Sequence, residues 1–229
     1  MKLAILALSL IIVTSCSSSK GFKKEELRRE LVVGETRQVT DEQIKKVFDL
    51  KPQLPKPFKI GVYFADNKLK NWDLRWNSED KETILQLEEE LKKTGEVSHM
   101  FLINESLVHG HDLKSLRLAA AHHGADALLV ISSAHDTDTY SNKLAASYFL
   151  ILPMILIPGT VIDALFITRA ALWDVRNEYL YMAVESESFK RLNIPIANLD
   201  ADKQLYKAKQ DSLQGLKKEI LRMTVNLKK

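Results

Sequence analysis

Histidine is the residue type in this chain with the widest scope for chemistry, and three of the six histidines fall where they could share one site. His109 and His111 precede a predicted helix that begins at Asp112, and His135 with Asp136 follows a predicted strand. In successive strand–helix–strand units, that loop and that strand end lie at the same edge of the sheet. Zinc accepts imidazole nitrogens and carboxylate oxygens as ligands. One interpretation is therefore a metal site at His109, His111 and His135. The interpretation we favour is solvated loop residues that bind no metal.

Nucleophilic catalysis has less support. The chain contains no Gly-x-Ser-x-Gly elbow, no glycine-rich phosphate loop and no His-Glu-x-x-His helix, which are the usual settings of a placed nucleophile, phosphate or metal. The acidic run Asp136-Thr137-Asp138 lacks the spacing of a calcium loop and favours a turn. Trp72 and Trp76 lie in a polar loop and are expected to be core plugs or loop anchors; the alternative is an exposed aromatic surface for a partner. We therefore predict a protein that is not an enzyme and has no cofactor.

Cys16 is the only cysteine in the chain, and its position is suited to a covalent modification. It follows Lys2, an apolar run over residues 3–13, and the small residues Thr14-Ser15, which together have the pattern of a secretory signal. The apolar run is shorter than the ~20 residues that span a bilayer. A cysteine is required for alkylation here because a thiolate is the strong nucleophile among the side chains.

The ending Val13-Thr14-Ser15-Cys16 resembles the lipobox of bacterial lipoproteins. The resemblance implies that the thiol takes diacylglycerol, that the peptide is cut before Cys16, and that the new amine is acylated, typically with palmitate. We expect residues 1–15 to be the signal peptide and residues 16–57 to be the lipid anchor, a polar tether and a short helical lead. Ser17 is not the aspartate that retains lipoproteins at the inner membrane of enteric-type bacteria. This favours the periplasmic face of the outer membrane.

The elements that would position these residues alternate from Phe58 onwards. Three apolar, β-branched segments predict strands: residues 58–65, 97–103 and 127–132. The helices between them begin at polar caps and end at glycines: Asn77 or Ser78 to Gly95, and Asp112 to Gly124. Before them, Thr40 caps a short helix whose apolar face is Ile44, Val47 and Phe48. Two strand–helix–strand units in succession predict parallel neighbours.

Two longer strands and a helix complete the predicted domain, residues 58–229. Residues 165–175 and 179–186 predict a hairpin in which Asn177 takes the left-handed turn conformation. Residues 202–227 place apolar side chains on one helical face: Leu205, Leu213, Leu216, Ile220, Met223 and Leu227. The predicted fold class is α+β, with one mixed sheet of about five strands. Its order is β-α-β-α-β, apolar insertion, β-hairpin and C-terminal helix, with helices mostly on one face.

Two segments of this pattern resemble the rhombotarget-type bacterial lipoproteins. They are DLKSLRLAAAHHGADALLVIS (residues 112–132) and DALFITRAALWDVRNEYLYMAVESES (residues 163–188). The shared motifs are Gly124-Ala125-Asp126 before an apolar strand and Asp174-Val175-Arg176 at a strand end. A more distant similarity is to the periplasmic α/β domains of TolB N-terminal and CsgG-type proteins. The resemblance covers Phe58 to the end of the chain and implies no catalytic residues.

The uncharged run over residues 144–162 is the apolar insertion, and its length would suffice for a membrane span. Three interpretations stay open: a buried hairpin, an exposed surface for membrane or partner, and a spanning helix. Pro153 and Pro158 would interrupt a helix, and a span would carry the last two strands away from their sheet. We therefore expect the chain to fold back on its own side. The candidate membrane or partner surface is Phe149, Ile151, Met154 and Ile155.

The charge balance of the chain argues against one class of function, nucleic-acid binding. The 33 Lys+Arg and 30 Asp+Glu residues leave a net charge of +3, without the basic excess of a nucleic-acid-binding protein. The expected partners are membrane lipid through acylated Cys16 and an envelope protein. We predict a non-enzymatic cell-envelope lipoprotein, a binding or scaffolding module facing the periplasm. The alternative is a periplasmic metal-binding or hydrolytic domain that uses His109, His111 and His135.

Overall fold

The computed structural model describes residues 18–31, 40–65, 74–110, 112–145, 156–195 and 201–226. These residues form one mixed sheet of five strands in the order β2-β1-β3-β4-β5. The strands are β1 Phe58–Phe64, β2 Val97–Leu102, β3 Ala127–Ser141, β4 Thr160–Asp174 and β5 Leu180–Ile194. The helices are α1 Lys24–Glu30, α2 Asp41–Phe48, α3 Ser78–Leu85, α4 Leu87–Lys93, α5 Leu113–His122 and α6 Ala201–Asn226. The predicted α+β fold is confirmed.

The parallel half of the sheet is the part that strand–helix–strand units build. β1 pairs in parallel with β2 and with β3. Its sequence FKIGVYF is buried at every position except Lys59, as expected for a strand covered on both faces. The second half is antiparallel, because β4 pairs with β3 and with β5 in hairpin fashion.

Helix starts follow the polar caps in the sequence. The side chain of Asn77 accepts a hydrogen bond from the backbone N–H of Asp80, whose carboxylate accepts one from the N–H of Asn77. Asp112 accepts from the N–H of Ser115 in the same way. Such caps satisfy N–H groups that the first helical turn leaves unpaired. At the helix ends, Gly95 and Gly124 take positive φ angles of 77° and 73°, which glycine adopts without a steric penalty.

The core lies in two layers, one on each face of the sheet. Of the six described helices, α3, α4 and α6 pack on one face, where Leu129 and Ile131 of β3 meet Ile84, Leu91 and Leu216. Helix α5 packs on the other face, against Leu128 and Val130. This division follows from the alternation of side chains along a strand. The larger helical layer therefore lies on one face, and α1 joins α5 on the other.

The three antiparallel strands are longer than the apolar pattern predicts. β3 continues to Ser141, although we predicted its end at Ser132. β4 begins at Thr160, and β5 continues to Ile194. The prediction that Asp136 and Asp138 form a turn is therefore wrong. Backbone pairing along the whole length of β4 holds these polar residues in strands, and the ladder does not depend on apolar side chains.

The turn between β4 and β5 differs in one residue from the prediction. Glu178, and not Asn177, takes the left-handed conformation, with φ 67°. The side chain of Asn177 instead accepts a hydrogen bond from the N–H of Tyr179 at 3.0 Å and donates one to the carbonyl of Lys51 at 2.7 Å. Asparagine therefore stabilises the turn through its amide group.

Trp76 anchors the loop before α3, as predicted. Its indole Nε1–H donates to the carbonyl of Ala65 at 2.9 Å, and its ring packs edge-on against Phe64 with centroids 5.2 Å apart. Trp72 lies outside the described residues.

Candidate functional site

The histidine edge is the first candidate site. His135 lies within β3, opposite Phe166 of β4, and the two rings stack with centroids 5.9 Å apart. His109 is exposed in the loop before α5, and His111 lies outside the described residues. Among the residues that the structure describes, no three potential ligands group closely enough to hold a metal ion.

The environment of His135 favours the neutral imidazole. Burial lowers the pKa of His135, and the carboxylates of Asp136 and Asp202 oppose that shift. The side chain is half-buried, and its Nδ1 lacks a hydrogen-bond partner among the described residues. His135 is therefore a packing residue of the sheet and does not lie in a solvated loop.

The apolar insertion leaves the sheet and returns to it at one place. The N–H of Asn142 donates to the carbonyl of Gly159 at 2.8 Å, and its side-chain Nδ2 donates to the carbonyl of Pro158 at 2.7 Å. We call this end of the sheet, formed by Ser141 and Thr160 with Asn142 and Gly159, the insertion end. The chain therefore folds back, as predicted.

The side chains next to the insertion end are apolar and exposed. Leu144 is 52% exposed, and Leu156 is 75% exposed. The predicted surface residues Phe149, Ile151, Met154 and Ile155 lie outside the described residues, as does Cys16. Within the described part of the chain, no helix has the length and apolar character that crossing a bilayer requires.

Asp138 organises a contact that the sequence did not predict. Its Oδ2 accepts hydrogen bonds from Ser19 Oγ at 2.6 Å, the N–H of Lys20 at 2.7 Å and the N–H of Gly21 at 3.2 Å. We call this arrangement the Asp138 clasp. Asp138 is 8% exposed, and the hydrogen bond from Ser19 is the main reason that its pKa is lowered. The carboxylate is therefore held in its charged form.

A second carboxylate, Asp163, lies directly across the sheet from Asp138. Like charges in opposite positions destabilise a sheet. Here Arg191 compensates, because its Nε and Nη2 donate to Oδ1 and Oδ2 of Asp163, each at 2.7 Å. Asp163 is buried, and its carboxylate raises the pKa of Arg191. Arg191 therefore pairs with Asp163, and the N-terminal segment supplies the hydrogen-bond donors for Asp138.

The N-terminal segment that supplies the clasp donors packs along the face of the sheet that carries Asp138. We call residues 18–31 the docked lead. Leu27 and Leu31 are buried against Ala134, Leu165 and Ile167. A ring contact between Phe22 and Phe189, with centroids 6.0 Å apart, extends this packing. An ion pair between Arg28 and Glu185 at 2.9 Å adds to it. The lead is therefore part of the folded unit.

The other end of the sheet carries a different surface. The N–H of Gln53 donates to the hydroxyl of Tyr181 at 2.8 Å, which holds the residues after α2 near the β4–β5 turn. The predicted apolar face of α2 is present but unburied, because Ile44, Val47 and Phe48 are 45%, 65% and 83% exposed. A capping box at Thr40 forms the start of this helix. An ordered apolar face thus lies near the end opposite the insertion.

A depression of about 370 Å³ lies at the carboxyl ends of β1 and β2. Open α/β sheets bind ligands at such edges. The described lining is Val62, Phe64, Lys81, Leu102, Ile103, Asn104 and Glu105. Lys81 and Glu105 pair with each other at 3.5 Å. This lining includes no histidine, cysteine or hydroxyl group and does not form a nucleophile–base pair.

Comparison with known proteins finds only distant similarity to solved structures. No protein-family model matches the chain, and no curated protein matches it. Among solved structures, a hypothetical protein from Chlamydia trachomatis is 11% identical with a TM-score of 0.39, over 73% of this chain and 97% of that one. A minor lipoprotein from Acinetobacter baumannii is 10% identical with a TM-score of 0.36, over 74% and 94%. A lipoprotein from Neisseria meningitidis is 12% identical with a TM-score of 0.36, over 74% and 99%. These similarities are too distant to transfer a family or a function.

Proposed function

We propose that this protein is a non-enzymatic lipoprotein of a bacterial envelope, anchored through acylated Cys16 at the periplasmic face of the outer membrane. The observation that carries the proposal is the run Val13-Thr14-Ser15-Cys16 after an apolar segment, with the only cysteine of the chain at the modified position. A diacylglycerol thioether together with an amide-linked acyl chain anchors a protein stably, whereas a single chain is marginal.

The contacts of the docked lead support this proposal. Ser19 is three residues from Cys16 and is bound to the domain through Asp138. The lead buries Leu27 and Leu31, so the domain begins almost directly after the anchor. An anchor with so short a connection would hold the domain close to the bilayer.

The proposed role is binding of an envelope protein. The exposed face of α2 supports this part, since Val47 and Phe48 are 65% and 83% exposed on a helix that its own capping box stabilises. Large apolar side chains that are clustered on an ordered surface are typical of protein interfaces. The face lies near the end of the sheet that points away from the proposed anchor.

The anchor is tested by growing expressing cells with an alkynyl fatty acid. We expect the wild-type protein to take up the label and to float with membranes. Cys16→Ala should take up no label, because the alkylated thiol is lost, and the protein should be either released or left uncut at its signal. Ser17→Ala should keep the label as a matched control. A wild-type protein without label would show that the lipoprotein assignment is wrong.

A further inference from the structure

We propose that the insertion end rests on the lipid surface, so that the exposed leucines beside the insertion contact the same membrane leaflet as the acyl chains on Cys16. The inference rests on the proposed lipidation and adds an orientation to it. Its partner is a phospholipid surface, and its basis is the direction in which the docked lead runs across the sheet.

The lead runs antiparallel to β3. Ser132 Oγ donates to the carbonyl of Leu31 at 3.3 Å, whereas Ser19 and Gly21 bind Asp138. Later residues of the lead therefore lie near the middle of β3, and earlier residues lie toward Ser141. Within the described lead, the residues near Ser19 therefore lie closer to the insertion end than Leu31 does.

Short distances along the chain bring the anchor and the insertion together. Cys16 precedes Ser19 by three residues, so its Cα lies within about 11 Å of Ser19 even if that segment is fully extended. Asp138 precedes Asn142 by four strand residues, which is about 13 Å at ~3.3 Å per residue. The Asp138 clasp therefore keeps the acylation site within reach of the base of the insertion.

The chemistry of this end matches a lipid surface. Leu144 and Leu156 are exposed residues of the apolar insertion, and the whole run over residues 144–162 is uncharged. Lys143 is exposed next to Leu144, a position from which an ammonium group can reach lipid phosphates while apolar neighbours enter the acyl region.

The opposite end of the sheet has a charged turn, and the exposed apolar face of α2 lies near it. Its turn carries Asp174, Arg176 and Glu178, and Arg176 pairs with Asp126 at 2.6 Å. The fifteen residues of β4 separate the two ends by roughly 45 Å at ~3.3 Å per residue. The sheet thus has an end with exposed leucines near the anchor and an end with a charged turn far from it. A membrane is the occupant we assign to the first, because the lead delivers the anchor there.

The orientation is tested by depth-dependent quenching on the lipidated full-length protein. Leu156→Cys and Leu180→Cys are matched variants, since both leucines are exposed and they lie at opposite ends of the sheet. Acylation occupies the Cys16 thiol, so each variant has one free thiol for a fluorophore. The protein is reconstituted into phosphatidylethanolamine–phosphatidylglycerol vesicles that contain a nitroxide-labelled lipid. We expect several-fold stronger quenching of the Leu156→Cys probe than of the Leu180→Cys probe.

Each outcome separates the orientation from the anchor. Weak and equal quenching of two probes on protein that floats with the vesicles would overturn the orientation and leave the lipid anchor standing. Protein that carries no acyl chain and does not float would overturn the anchor itself. A Leu156→Cys probe that lipid does not quench, but that is shielded from aqueous iodide, would assign this end to a protein contact such as a second copy and would also overturn the proposal.

The clasp is tested in the same preparation with Asp138→Ala and the control Asp136→Ala. Loss of the Asp138 carboxylate removes three hydrogen bonds to a charged group, so tryptic cleavage after Lys20 should become about tenfold faster or more. The quenching contrast between the two probes should also decrease, because the lead no longer aligns the domain. Asp136→Ala should change neither. An unchanged cleavage rate and contrast in Asp138→Ala would show that the clasp does not set the orientation.

Discussion

Asp138 and His135 lie three residues apart on β3, and the alternation of the strand sends them to opposite faces of the sheet. Asp138 accepts hydrogen bonds from the docked lead, while His135 packs on Phe166. The lowered pKa of Asp138 means that its stabilising effect is complete above the ordinary carboxyl pKa near 3.9. The effect is lost as the pH falls through the lowered value. At neutral pH the clasp is therefore fully formed.

His135 gives the protein a predictable dependence on pH. Because burial lowers its pKa below the ordinary value near 6.5, the unfolded chain binds a proton at pH values where the folded chain does not. The free energy of unfolding should therefore decrease as the pH falls from about 7 through the lowered pKa. We expect His135→Gln to flatten this slope between about pH 5.5 and 7.5 in urea titrations.

The exposed His122 of α5 is the matched control for that experiment. His122→Gln also removes one imidazole but leaves His135 in place, so the free energy of unfolding should keep its dependence on pH. A slope that is equally steep in His135→Gln and in the wild type would contradict the assignment of the pH dependence to His135.

At the scale of elements, a buried ion pair joins the C-terminal helix α6 to α3. Lys209 and Asp80 are fully buried, with Nζ and Oδ2 2.5 Å apart. Each charge has further partners: Lys209 Nζ donates to the carbonyl of Arg75 at 2.8 Å, and Gln210 Nε2 donates to Asp80 Oδ1 at 3.0 Å. Charges can stay in a core when they are paired and hydrogen-bonded in this way. The pair therefore links α6 to α3 within the core.

Removing one member of this pair should be costly. We expect Lys209→Ala to lower the free energy of unfolding by about 3–5 kcal/mol, because it leaves the Asp80 carboxylate buried without its counter-ion. The control is Lys190→Ala, which breaks the partly exposed pair of Lys190 with Asp211 and should cost about 0–1 kcal/mol. Equal losses in the two variants, measured by denaturant titration, would contradict a structural role for the buried pair.

At the scale of the whole molecule, the two ends of the sheet present different surfaces. The insertion end carries the exposed Leu144 and Leu156 and lies near the proposed anchor, whereas the exposed apolar face of α2 lies near the opposite end with its charged turn. A protein held at the membrane by the first end would present the second to components of the envelope. This arrangement would let one domain connect a lipid surface to a protein partner.

The α2 surface gives a prediction about the partner. In envelopes treated with a cross-linker, we expect the double variant Val47→Ser/Phe48→Ser to lose most of the cross-linked partner that the wild-type protein retains. Its stability should be unchanged, because both side chains are exposed and surface substitutions cost within about 0.5 kcal/mol. Leu118→Ser, at an exposed apolar site on α5, is the control. Retention of the same partner by the double variant would rule out α2 as the docking surface.

Much of the fold could be predicted because its signals are local. Asn77, Asp112 and Thr40 marked helix starts, since a capping side chain contacts only the next few residues. Gly95 and Gly124 marked helix ends for an equally local reason. The alternation of strands and helices then implied that β1 to β3 are parallel. The apolar face of α6 was evident from the helical spacing of its apolar residues.

The parts that the sequence did not predict depend on partners that are far apart in the chain. Polar residues from His135 to Ser141 showed no apolar strand pattern, and only pairing with β4 holds them in β3. Lys209 is not part of the apolar face predicted for its helix, and only the structure places it against Asp80. No local signal distinguishes these residues from solvated ones.

The sequence by itself determined the candidate acylation site, the order of the elements and the caps that delimit the helices. Each of these depends on neighbouring residues or on a short periodic pattern. Only the tertiary structure decided that Ser19 binds Asp138, 119 residues away, and that the lead therefore runs toward the insertion end. A contact of that kind has no sequence signature, because a serine and an aspartate become partners only when the folded sheet brings them within hydrogen-bond distance.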